Sequence, residues 1–187
     1  LLKYNVPYVE IDALAKASRD VFDVRKIAVG KPYTILQRRD STAKAEYFIY
    51  QPNAIDYVIY HLGDSINIRM EQKPVEIVEK TMGGVINSSL YESLQENGGS
   101  PSLAIELAEV YAWSIDFYRI QKGDYFKVVY EEKMVDGEVI GIGKVKAAQF
   151  HHFSDDFYGY FFETEDGGDY YDENAKSLRK AFLKSPL

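Results

Sequence analysis

The chain has 187 residues, 46% hydrophobic and 14% aromatic, which suffices for one large or two small packed cores and reads as globular rather than disordered. A formal charge of -7 argues against a nucleic-acid partner, since neutralising phosphates requires a basic patch. No window holds the roughly 18 consecutive apolar residues of a membrane-spanning helix, and the lack of cysteine excludes disulfides and thiolate metal ligands.

In the first half, the composition from Ile11 to Ala17 predicts a helix over about 11–19. Gly30-Lys31-Pro32 then reads as a turn ahead of a strand from Tyr33. Glu46–Tyr50 and Asp56–Tyr60 are rich in strand formers, and Gln51-Pro52-Asn53-Ala54 between them predicts a hairpin. Ser65–Met70 and Val75–Lys80 alternate apolar and polar residues, which extends the antiparallel sheet. Gly83-Gly84 interrupts the pattern, and the composition shift there divides the chain into domains 1–78 and 79–187.

In the second half, Ser88-Ser89 ahead of Leu90 and Leu94 predicts a capped helix over about 89–96, ended by Asn97-Gly98-Gly99. Ser100-Pro101 opens another helix, with Leu103, Leu107, Val110, Tyr111 and Ser114 on one stripe and Glu106 and Glu109 opposite. Trp113 and Phe117, four residues apart, are expected to join its core face. Strands return from Tyr125, with Val135-Asp136-Gly137-Glu138 as a hairpin turn and a long strand Val139–Phe150, whose Gly141 and Gly143 mark a bend or a close approach. Asp155-Asp156 reads as a turn, Phe157–Glu163 as a strand, and Asp166–Asp169 as a turn before Tyr170-Tyr171. The tail from Asn174 reads as a helical or extended connector, so the chain is expected to be a fragment of something longer. The fold class is α+β: two small domains, each an antiparallel sheet with one or two helices.

Several stretches carry a family resemblance: Gly84–Tyr91, Trp113–Phe117, Ile120-Gln121-Lys122-Gly123-Asp124, Tyr170–Asn174 and Ser177–Leu183. Together they resemble the non-catalytic N-terminal region of lysostaphin-type (LytM) zinc metallopeptidases of Bacteroidetes type, which are peptidoglycan endopeptidases. Residues before about 75 resemble, more loosely, a LysM-like or opacity-associated-protein-like module. Ala175 departs from the family pattern, which has Gly after the Asn. The resemblance implies a segment that positions wall substrate, or covers the catalytic groove of its own C-terminal catalytic domain by means of a carboxylate. It implies zinc in that following domain and a place in the envelope or periplasm of a Gram-negative bacterium. The three histidines, His61, His151 and His152, form no His-x-His pair, so no zinc ligand or catalytic residue is assigned within this chain. A glycan- or protein-binding envelope module with no enzyme attached is the alternative.

Other candidates carry less. His151 and His152 are neighbours on a strand and point to opposite faces, which disfavours one shared metal ion. Asp166–Asn174 misses the acidic spacing of a calcium loop, and Gly137–Lys144 lacks the first glycine and the Ser/Thr of a phosphate loop. Ser88-Ser89 reads as helix capping rather than a nucleophile. The 16 tyrosines exceed what two small cores need, and Tyr158, Tyr160, Tyr170 and Tyr171 cluster late in the chain. They form the candidate ligand-binding surface, because a tyrosine can stack on a sugar ring while its hydroxyl hydrogen-bonds. Ordinary sheet packing is the competing reading for the same four residues.

Overall fold

The computed structural model describes residues 1–63, 65–165 and 167–179. The chain forms two units, Leu1–Val75 and Glu76–Leu187, each with its own core. The division falls slightly ahead of the composition shift because the strand Glu76–Val85 pairs along its whole length within the second sheet. The α+β class holds, with an antiparallel sheet of four strands in one unit and of five in the other.

In the first unit, helix α1 (Tyr8–Ala17) precedes a meander of β1 (Tyr33–Gln37), β2 (Ala45–Tyr50), β3 (Asp56–Leu62) and β4 (Ile66–Gln72). The helix starts three residues earlier than the composition suggests, because Pro7 at φ -61° sets up its first turn. The expected hairpin forms, with Tyr50 opposite Val58. Alternation on the strands sends Tyr50, Val58, Tyr60 and Leu62 into a core shared with Val6 and Leu14. At the surface, Glu10 pairs with Lys44 and Asp12 with Lys16, each at 2.7 Å.

In the second unit, β5 (Glu76–Val85), β6 (Tyr125–Val135), β7 (Glu138–His152), β8 (Asp155–Thr164) and β9 (Gly167–Tyr171) form a meander. Helices α2 (Leu90–Glu96) and α3 (Pro101–Val110) contribute Leu90, Leu94, Leu103, Leu107 and Val110 to one core with Phe126, Val128, Val145 and Phe150 of the sheet. Ser89 caps α2 by accepting the Glu92 N–H at 3.1 Å, as its sequence suggested.

Three local expectations are corrected. Gly83-Gly84 does not break the strand: a Cβ on Gly83 would sit 3.0 Å from the Phe126 carbonyl oxygen and one on Gly84 2.7 Å from Asn97 Nδ2, so both glycines admit close neighbours inside β5. Helix α3 stops at Val110, which leaves Ser114 exposed and Trp113 47% exposed, while Phe117 half-buries edge-on against Phe150 at 5.6 Å from a 3-10 turn. Asp155 and Asp156 belong to β8, and the chain reverses instead at Phe153-Ser154, where Phe153 takes φ 56°. The Asp136-Gly137 turn appears where expected, at φ 52° and 82°, as a two-residue hairpin requires. Past β9, Tyr171 bridges Ser177; the rest of the proposed connector, from Lys180, lies outside the described residues.

Candidate functional site

The helices cover one face of the second sheet, and the candidate site lies on the other. Successive side chains of β8 alternate, so Phe157 and Gly159 face the helices while Tyr158, Tyr160 and Phe162 face outward. Register extends the pattern to β9: Tyr171 is opposite Tyr160 and its ring lies 5.9 Å from Phe162, whereas Tyr170 is opposite Phe161 and packs on the core. Of the four tyrosines singled out from sequence, the structure therefore gathers Tyr158, Tyr160 and Tyr171 on the outer face. It places Tyr170 on the inner one, where burial raises its hydroxyl pKa to about 12.

Tyr158 and Tyr160 present parallel rings, 2° between planes with centroids 6.4 Å apart. They border a groove of about 560 Å³ that crosses β5 to β8. Its floor is formed by the small or short residues Gly83, Val129 and Ala147, and Lys127 and Gln149 supply polar groups. Registers of Gly83 with Lys127, Lys127 with Gln149 and Gln149 with Tyr158 align these four residues across the sheet.

A hydrogen-bonded cluster adjoins the groove. Asp156 Oδ1 receives Gln149 Nε2 at 3.2 Å and the Tyr125 hydroxyl at 3.2 Å, and meets His151 Nδ1 at 3.0 Å. The His151 contact, then the Gln149 and Tyr125 bonds, hold the Asp156 carboxyl below its ordinary pKa against partial desolvation. Tyr125 stacks on His151 at 4.7 Å, with 8° between ring planes, and its hydroxyl pKa is raised by desolvation and by Asp156. Gln149 Nε2 also donates to the Tyr158 hydroxyl at 3.3 Å, which ties the cluster to the aromatic wall.

The other sequence candidates lie elsewhere. His152 is buried on the inner face and meets Asp124 Oδ2 at 2.7 Å, the oxygen that also accepts the Gln121 N–H at 2.8 Å. This pair fixes the turn entering β6. His61, in the first unit, lies against Tyr47 at 4.8 Å between ring centroids. Among the described residues, no group of three or more His, Asp or Glu side chains is placed to hold a metal ion, and no helix is long and apolar enough to cross a membrane. Lys127 and Gln149 escaped sequence reasoning because each is a single polar residue on an alternating strand, and Asp156 because Asp155-Asp156 reads as a turn although it lies in β8. Only the register between strands collects them.

Residues 75–187 match the profile of the family described as the Csd3 second domain. The chain belongs to this family. Among its relatives, this chain is 34% identical over 132 residues to the peptidoglycan DD-endopeptidase ShyC of Vibrio cholerae, covering 70% of this chain and 30% of that protein. A zinc-containing peptidase from Vibrio cholerae superposes with a TM-score of 0.62 at 23% identity, over 100% of this chain and 56% of that one. Csd3 of Helicobacter pylori superposes at 0.60 and 22% identity, over 95% of this chain and 48% of that one. At these identities the solved structures establish the shared fold. The chain spans under a third of the length of the curated relative and about half of the solved chains.

Proposed function

We propose that this chain is the non-catalytic N-terminal part of a cell-envelope zinc endopeptidase and that it positions peptidoglycan for a catalytic domain that follows it. The observation that carries this reading is the outer-face groove, which lies wholly inside the family-matched region and joins an aromatic wall to amide and ammonium groups. A groove of about 560 Å³ is in the size range of small-ligand clefts and suits a short piece of a polymer rather than a folded partner. Tyr158, Tyr160 and Tyr171 supply flat apolar faces, and the LysM-like first unit adds a second contact to the wall. Zinc would be held by the catalytic domain, a reading supported by the zinc-containing peptidase that shares this fold. The envelope, on the periplasmic side of a Gram-negative bacterium, is where such a substrate is met.

Sedimentation with purified sacculi tests the reading. The chain is expected to pellet with the wall in a saturable manner, and a chain that stays in the supernatant at every wall concentration contradicts it.

A further inference from the structure

The groove on the open face is free of acid. None of its described lining residues carries a carboxylate, and its one cation is Lys127, in a chain whose net charge is -7. On the neighbouring strand, Lys144 pairs with Glu163 at 3.2 Å and Lys146 with Glu79 at 2.8 Å. Lys127 enters no ion pair among the described residues, so its ammonium is uncommitted. Its stem lies close to Gly83, where an added Cβ would sit 3.3 Å from Lys127 Cγ, and the glycine leaves room for that placement.

The remaining polar groups are oriented by their own bonds. Gln149 spends its amide nitrogen on Asp156 Oδ1 and on the Tyr158 hydroxyl, so it offers a ligand its carbonyl oxygen. The Tyr158 hydroxyl accepts from Gln149 and keeps its own O–H to donate. One donor and one acceptor beside a free ammonium match a peptide amide followed by a carboxylate. The groove also runs to β5, an edge strand that pairs only with β6 among the described residues, and an extended chain can lie along such an edge.

We propose that this groove binds an extended peptide bearing a free carboxylate, namely the stem peptide of peptidoglycan. Lys127 Nζ takes the carboxylate, Gln149 and Tyr158 take an amide, and the parallel rings of Tyr158 and Tyr160 pack on the aliphatic part. This rests on the wall-positioning reading and specifies which component of the wall is held.

Calorimetric titration of the whole chain with three soluble probes tests it: a stem tetrapeptide, the same peptide with its carboxylates amidated, and a peptide-free chitin oligosaccharide. The tetrapeptide is expected to bind at least about tenfold more tightly than either of the others. Lys127→Glu should abolish that preference with an unchanged melting temperature, while Lys127→Arg should keep affinity within about threefold. Equal binding of the oligosaccharide, an indifferent Lys127→Glu variant, or no tetrapeptide binding at millimolar concentration overturns the proposal. A chain that pellets with sacculi while Lys127→Glu pellets equally well would remove the peptide site and leave wall positioning standing. A wild-type chain that fails to pellet would remove positioning itself.

Discussion

Asp124 and the tyrosines of the late strands show how one residue type takes opposite roles. Burial pushes the Asp124 carboxyl upward, but the Gln121 N–H and the His152 ring outweigh it, and its pKa is lowered on balance. A carboxylate with a depressed folded pKa adds stability above its unfolded value, near about 3.9, and that contribution is lost as pH falls through the folded value. Asp124→Asn should therefore lower stability at pH 7 by roughly 1–3 kcal/mol and flatten the acid limb, as read by urea midpoints from pH 7 to pH 2.5. An acid limb in the Asp124→Asn variant that matches wild type would contradict this. Tyr170, packed on the core, and Tyr160, 38% exposed on the groove, separate by the same reasoning. Tyr170→Ala should cost about 3 kcal/mol of stability, whereas Tyr160→Ala should cost under about 1 kcal/mol and act on binding, a contrast that thermal melts and sedimentation resolve.

Among the elements, the seam between α3 and β8 leaves no room for a side chain at Gly159. A Cβ on Gly159 would sit 2.7 Å from Val110 Cγ1 and 3.2 Å from Leu178 Cδ1. Val110 is buried and cannot swing away, so Gly159→Ala should destabilise the second unit by about 1–3 kcal/mol, measurable by urea denaturation. An unchanged midpoint would show that α3 shifts without cost. The helix caps, the Asp136-Gly137 turn and the strand alternation were legible in the sequence because each depends on neighbours within about four residues. The end of α3, the persistence of β5 through Gly83-Gly84 and the inward turn of Tyr170 were not. Each is decided by a contact distant in sequence: Phe150 against Phe117, Phe126 and Asn97 against the glycines, and Phe161 opposite Tyr170. The groove was half legible for the same reason, since aromatic content signalled a surface while register chose its members.

For the whole molecule, residues 76–187 contain a complete sheet, both covering helices and the second core. Expressed alone, this piece should give one cooperative thermal transition and retain the stem-peptide affinity of the full chain; a broad, non-cooperative melt would show that its core is insufficient. Were the segment to cover the groove of a following catalytic domain, the other role that the resemblance offers, the block would be a population shift needing only a few kcal/mol of differential contact. Added in trans to the separately produced catalytic domain, the chain should then slow cleavage of a soluble substrate, and an unchanged rate at saturation removes that role. The most direct test of the account is the affinity for purified sacculi of the wild-type chain beside a Tyr158→Ser/Tyr160→Ser variant of unchanged melting temperature. The account predicts saturable binding that weakens at least about tenfold in the variant; equal binding by the two proteins would place the wall contact elsewhere and contradict it.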